Sequence, residues 1–549
     1  MKKNYKIIGI IFLFLLIITN FVSLKYVSWG KMGMILWFFS YLYFFIYWAR
    51  CLVNLITNAI KNKTFFSLIT IIILLLSLFI NIPKQLSFGR ETSQETACVL
   101  RLLKDSPDWG FNQTCLFGYP AREFLLSALP SLFGRNLVLL NLGGSLFFFL
   151  GLIIFSSGVL KYFNYHKYGD ILNAIFLSSF YHIYFFNHFQ FYYEHSIFPF
   201  CFSLILVGLY FHWKNDQDSF DYSLFGILFF YLIYSYTPSL SLLAFVIPVI
   251  IYYFFQIKNR KNVILIAFLT LSIILSLISS FNFRRDLNIT NTQEKPINEL
   301  IIDIRNSFKH ILFQTERQPF FSPLFTFVFV SAVTSSLFFV FGKGNAYVSC
   351  WIVLTIIISV VSKGYAYYGI DFRLQRATLI FPVFYGTLIT ILEKLNFKAK
   401  KLYKILIILY LLVLTSGLYY HIDFLSQRTK DVLDDFQVIN QIKTIVSEKQ
   451  HLEKIYIVGN TDGKFLPLND SLQYFFPDIK SEIFPEFNCV IPQNTLLVVF
   501  KSHYCYDLLM SQQLSHTFGV KTTNTKTQNL TDEALLDYEF FYNIDGKQI

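Results

Sequence analysis

Apolar residues in this chain come in long unbroken runs instead of the short alternations of a soluble protein. The stretch "FFSLITIIILLLSLFI", residues 65–80, holds no charge, and runs like it recur as far as residue 420. A helix of about 20 apolar residues crosses roughly 30 Å of hydrocarbon. Such runs fall at 6–24, 33–57, 65–82, 137–160, 170–187, 196–213, 221–237, 239–256, 263–281, 322–341, 346–361, 375–393 and 404–420, which predicts about thirteen membrane helices. The first imitates a signal peptide, but "NFVSLKY" behind it offers no small-residue cleavage site, so it reads as a retained helix.

The polar breaks between the runs are not alike. Lys2, Lys3 and Lys6 precede the first run, Lys61 and Lys63 follow the second, and Lys161 and Lys167 the fourth. Lys214 follows the sixth, Lys258, Arg260 and Lys261 the eighth, Lys343 the tenth, and Lys394, Lys398, Lys400, Lys401 and Lys404 the twelfth. All fall on one side of a membrane if the N-terminus is cytoplasmic, with Lys25 and Lys31 dissenting. Three regions then lie outside a plasma membrane: loop 83–136, loop 282–321 and the tail from His421 to Ile549. In the tail the period changes. "DVLDDFQVINQIKTIVSEKQ" is helical in spacing, while "KIYIVGN" and "NTLLVVF" read as short buried strands.

The fold class expected is therefore an all-α polytopic membrane protein with a small extracytoplasmic α/β domain at its C-terminus. Its divisions are two N-terminal helices in 1–64, a membrane core in 65–420 and a soluble domain in 421–549. Composition agrees: 54% of the 549 residues are hydrophobic and only 15% charged, too few to cover a soluble surface of this size. The net charge of +12 is largely a topology signal, so no nucleic-acid partner is expected. Cys98 and Cys115 share the first outer loop, and Cys489 and Cys505 share the tail. Either two disulfides in an oxidising space or four free thiols would fit these positions. Cys51, Cys201 and Cys350 sit in or beside predicted spans.

Candidate chemistry gathers in the outer segments. Directly behind the third run comes "FGRETSQETACVLRLL", where Glu91 and Glu95 share a helical face ahead of an amphipathic surface. The plain alternative is that Glu91 pairs with Arg90 or Arg122 and tethers the loop. In "SKGYAYYGIDFRLQRATLIFPVF", Arg373 and Arg376 stand one turn apart at an outer helix start, with Lys363 and Asp371 nearby. Cations at that depth favour an anionic ligand, or else they snorkel to headgroups or pair with Asp371. In "FFNHFQFYYEHSIFPF", Glu194 and His195 open the sixth run at its outer face. A carboxylate there is also favourable simply as a helix N-terminal residue.

The order of outer acidic residue, interfacial helix, Gly/Pro turn ("FGYPAREFLLSALPSLFG") and next membrane helix resembles the opening of the GT-C glycosyltransferases. The likeness is greatest to the protein mannosyltransferase and aminoarabinose-transferase group, glycosyltransferase family 39, and covers roughly 65–420 by topology and loop order. It implies transfer of a sugar from a polyprenyl-phosphate donor to a glycan, lipid or protein acceptor outside the membrane. Family members carry Asp followed by Glu in the first outer loop; here that pair reads Arg90-Glu91. The resemblance thus makes Glu91 the base or acceptor-orienting acid, with Glu95 in reserve and Glu194 in support. It makes Arg373 and Arg376, with Lys363 and Arg122, the holders of the carrier phosphate. Glu91, Glu194 and His195 form a candidate site for Mg or Mn, whose preference is for such oxygen ligands. The rival functions are a transporter or flippase, or a polymerase, of lipid-linked surface polysaccharide. A transporter should place ionisable residues deep in its spans, whereas these runs are nearly free of charge.

Overall fold

The computed structural model describes residues 2–23, 30–81, 137–182, 197–215, 400–428, 442–447, 452–458, 478–484, 487–500, 504–511 and 538–543, with single positions at 224, 226–228, 231, 302, 472 and 476. In chain order the helices are α1 (Lys2–Ser23), α2 (Gly30–Asn62), α3 (Phe66–Asn81), α4 (Leu137–Tyr162), α5 (Lys167–Ser179), α6 (Ile197–Asn215) and α7 (Lys400–Arg428). A 3-10 turn, Phe180–His182, continues α5. Strands β1 (Lys454–Val458), β2 (Lys480–Phe484) and β3 (Thr495–Phe500), helix α8 (Tyr504–Ser511) and strand β4 (Tyr538–Asn543) follow. The part described is mostly helical. Two stretches in it, Phe39–Asn62 and Tyr403–Asp423, are long and apolar enough to cross a membrane. Ile7–Leu16, Phe66–Ser77 and Leu146–Tyr162 are shorter apolar stretches.

Seven of the expected runs thus coincide with helices, and 221–237 is represented by its helical positions 224, 226–228 and 231. The five runs between 239 and 393, and the loops 83–136 and 282–321 apart from Ile302, lie outside the described residues. The last helix runs on past residue 420 to Arg428. Its backbone ladder continues where the apolar run stops, because His421 is still buried, at 3% exposure.

Side-chain pairs fix the direction of each helix. Phe148 meets Phe180 (5.9 Å) and Phe155 meets Phe176 (4.6 Å), so α4 and α5 are antiparallel. Phe147 meets Phe202 (5.3 Å) and Tyr162 meets Phe211 (5.0 Å), so α4 and α6 run parallel. Along that pair the backbones approach at glycines: a Cβ on Gly208 would stand 2.6 Å from the Ile154 carbonyl oxygen. Small residues permit this approach, which brings more atoms of the two helices into dispersion contact. Ser67 lies against Asp170, and Ser77 against Tyr181, so α3 runs parallel to α5. Tyr403 meets Tyr168 and Tyr410 meets Thr70, so α7 runs with them.

The two hairpins turn at the same end. The turn after α2 places Lys63 at φ 54° and bonds Thr64 N–H to the Ala59 carbonyl; the turn after α4 places Asn164 at φ 51° and bonds Tyr165 N–H to the Leu160 carbonyl. Both are left-handed helix C-caps with a six-to-one bond, made without glycine. Asp170 ties them together. Its Oδ2 accepts from Phe66 N–H and its Oδ1 from Ser67 N–H, both at 2.9 Å, while Ser67 Oγ donates back to the Asp170 carbonyl. A carboxylate of one helix thereby caps the N-terminus of another, satisfying two orphan donors with charge-assisted bonds. The outward faces stay apolar and exposed: Val53 at 61%, Ile60 at 63%, Ile405 and Ile408 at 58%.

The described tail residues form a second compact unit. Its sheet has the order β2-β1-β3-β4, parallel except for β4. Tyr456, Val458, Leu497 and Val499 join one core cluster, and the alternate residues Ile455, Ile457, Leu496 and Val498 are buried too. Burial of both faces is what a parallel strand of continuous apolar residues requires. The segments "KIYIVGN" and "NTLLVVF" supply β1 and β3. Edge strand β2 is partly polar; its Lys480 pairs with Glu482, whose hydrogen bond raises the ammonium pKa above its ordinary value. Cys489 and Cys505 form a disulfide across 5.3 Å between Cα atoms, joining the loop ahead of β3 to α8.

Three outcomes are expected in thermal unfolding of the purified protein. Asp170→Ala strands the buried N–H of Ser67 and the part-buried N–H of Phe66 and lowers stability by about 3 kcal/mol. Gly208→Ala, pressed against backbone, costs about 3 kcal/mol. Gly151→Ala, whose Cβ meets its nearest neighbour at 3.3 Å, costs clearly less.

Candidate functional site

Opposite the hairpin turns, the C-terminal halves of α3, α5 and α7 meet in a buried polar cluster. Tyr181 and His182 enter it from the 3-10 turn, Ser77 from α3, and Ser416, Gly417 and His421 from α7. Ser77 and Tyr181 share a hydroxyl–hydroxyl bond of 2.7 Å. His182 Nε2 lies 2.8 Å from the Val413 carbonyl, an acceptor only, so this nitrogen carries the proton and donates. Ser416 Oγ lies 3.3 Å from the same nitrogen and donates to the Leu412 carbonyl. The Tyr181 and His421 rings are 5.2 Å apart.

Gly417 makes the seating possible. A Cβ there would lie 2.9 Å from Tyr181 Cβ and 3.0 Å from His182 Nε2. The absent side chain leaves a notch in α7 into which the Tyr181–His182 pair fits. The contacts make the cluster a latch: among the described residues Ser77 and Ser416 have no base poised to take a proton from them, since His182 Nε2 donates to Val413. Among the described residues no group of three His, Cys, Asp or Glu side chains could hold a metal ion.

Three segments leave the described helices beyond this latch. The chain leaves α3 at Asn81 on its way to Glu91 and Glu95, leaves the 3-10 turn at His182 on its way to Glu194 and His195, and leaves α7 at Arg428 for the tail. Glu91, Glu95, Arg122, Glu194, His195, Lys363, Arg373 and Arg376 themselves lie outside the described residues, as do Cys98 and Cys115. Sequence reasoning passed over Tyr181, His182, Ser416, Gly417 and His421. The available signal was modest: "SFYH" and "TSGLYYH" are polar interruptions towards the C-terminal ends of two apolar runs.

A second polar contact lies towards the basic ends of α2 and α6, where Cys51 Sγ approaches His212 Nε2 at 3.9 Å. Cys51 is buried, and a nucleophilic thiol needs an accessible thiolate, so the pair reads as packing. No protein-family model and no curated protein matches this sequence.

Gly417→Leu is expected to unseat the latch and lower the apparent Tm of the detergent-solubilised protein by several degrees. Ser416→Ala, which leaves the His182–Val413 bond intact, should shift it far less. A smaller shift for Gly417→Leu than for Ser416→Ala would contradict the notch.

Proposed function

We propose that this chain is a GT-C-type membrane glycosyltransferase. It takes a sugar from a polyprenyl-phosphate carrier and delivers it to an acceptor at the outer face of a plasma membrane. The observation that carries the reading is the convergence of the α3, α5 and α7 C-terminal ends. The segments bearing Glu91, Glu95, Glu194 and His195 leave from there, while Lys61, Lys63, Lys161, Lys167 and Lys404 belong to the opposite, hairpin end. With the basic end cytoplasmic, the segments that carry Glu91, Glu95, Glu194 and His195 would depart from the outer side.

Three further features support it. The exposed apolar faces of α2 and α7 suit lipid. A disulfide in the tail suits an oxidising exterior and an extracytoplasmic α/β domain. Asp170, the carboxylate buried within the described helices, is consumed in a helix cap near one end, unlike the mid-membrane ionisable residues of a transporter.

In the reaction, an acceptor hydroxyl attacks the anomeric carbon. Glu91 takes its proton, with Glu194 supporting and Glu95 in reserve. The bond from that carbon to the phosphate oxygen breaks, and the carrier phosphate leaves with the electron pair. Arg373 and Arg376, aided by Lys363 and Arg122, stabilise its charge. A divalent ion held by Glu91, Glu194 and His195 would polarise the same phosphate.

The test is transfer of labelled sugar from polyprenyl-phosphate donors by purified protein in lipid. Glu91→Gln should lower the rate by a factor of about 10² or more, the usual contribution of a general base. Full transfer by a folded Glu91→Gln protein removes Glu91 from its role. Donor binding without turnover across many acceptors favours the transporter.

A further inference from the structure

We propose that Asp170, Asn173 and Tyr410 hold a monovalent alkali cation, Na+ or K+, between α3, α5 and α7. The site stands apart from the sugar-transfer reaction and does not depend on it. Asp170 and Asn173 are three residues apart on α5, so their side chains share a face, and both bond to Ser67 of α3. Because α3 and α5 run parallel with Ser67 beside Asp170, Thr70 lies level with Asn173 three residues further along. Tyr410 of α7 reaches the same level, its hydroxyl 2.9 Å from Thr70 Oγ1 and its ring 5.5 Å from that of Phe66. Ser67, Thr70, Asp170 and Asn173 are fully buried, and Tyr410 nearly so.

Every hydroxyl proton in this cluster is spent. Ser67 donates to the Asp170 carbonyl and Thr70 to the Phe66 carbonyl. The Thr70–Tyr410 bond therefore takes its proton from Tyr410, whose oxygen keeps its capacity to accept. Asn173 donates through Nδ2 to Ser67 Oγ at 3.0 Å, and its Oδ1 is left buried without a donor. The Asp170 carboxylate accepts two N–H groups out of the roughly four bonds it can take. Among the described residues no side-chain cation pairs with it.

The cluster thus combines a buried negative charge with an acceptor that lacks a donor, and both are costly without a partner. The positive ends of α3 and α5 offset only part of the charge. A water molecule would supply donors but no charge. A divalent ion would bring one charge too many for a single carboxylate, since such ions gather several. One alkali ion balances the carboxylate, and the neutral oxygens of Asn173 and Tyr410 complete its contacts with all three helices.

The test is thermal unfolding of the purified full-length protein at constant pH and ionic strength, with NaCl or KCl replacing choline chloride. The apparent Tm should rise by about 2 °C at a hundredfold excess of cation over its Kd. The ion that acts at the lower concentration is the one the site prefers. Asn173→Leu and Tyr410→Phe should each demand about tenfold more cation for the same rise, the cost of one polar contact. Asp170→Asn, which can still accept N–H groups, should abolish the rise. Asp507→Asn, at an exposed position of α8, should leave it unchanged. Equal Tm values in choline, sodium and potassium mean that water alone serves the cluster, and overturn the proposal. An undiminished rise in both Asn173→Leu and Tyr410→Phe overturns it as well, because the cation then binds elsewhere. Neither result touches the role of Glu91 in transfer.

Discussion

The bundle depends on one buried carboxylate. Asp170 sits in the first turn of α5, but serves α3, accepting the N–H groups of Phe66 and Ser67. Those donors have no partner within their own helix, and a buried N–H left without one costs about 1–3 kcal/mol. The cap therefore does two jobs. It lets α3 begin inside the protein, and it sets the α2–α3 hairpin beside the α4–α5 hairpin in one register. Asn173 extends the network by donating to Ser67 Oγ, so one short segment of α5 orders the start of its neighbour.

From that fixed end the parallel helices α3, α5 and α7 run to the polar latch around Tyr181 and His182. The two ends are built differently. The hairpin end uses charge, with a carboxylate turned inward and lysines turned outward. The latch end uses neutral hydrogen bonds and a missing side chain at Gly417, and from it depart the segments with the candidate catalytic groups. A rigid root is what a loop-borne active site needs, because misplacing a reacting group by about an ångström costs orders of magnitude in rate.

Much of this was legible beforehand. Helix positions follow from uncharged runs. The direction in which α3, α4, α5 and α6 pass one another is read from their side-chain contacts. The strands β1 and β3 were visible as apolar bursts in a polar tail, whereas β2 and β4 were not. β2 mixes Lys480, Ser481 and Glu482 with apolar residues because an edge strand is half exposed, and this blurs its period. The latch was not legible. Each of its residues is an ordinary polar interruption alone, and they come from segments hundreds of positions apart, such as Ser77 and His421.

Hydropathy and charge are sums over neighbours in sequence, so they decide properties that are local or additive: which segments are helices, how long they are and which ends carry lysines. Choices that depend on one atom meeting another across the chain belong to the folded structure. A carboxylate at position 170 scans as a charged boundary residue, and only packing turns it into the cap of α3. A glycine at 417 scans as a weak point in a helix, and only the approach of Tyr181 makes it a socket. Lysines at 167 and 404 scan as a topology signal; only folding sets Lys167 of one helix over the Tyr403 ring of another.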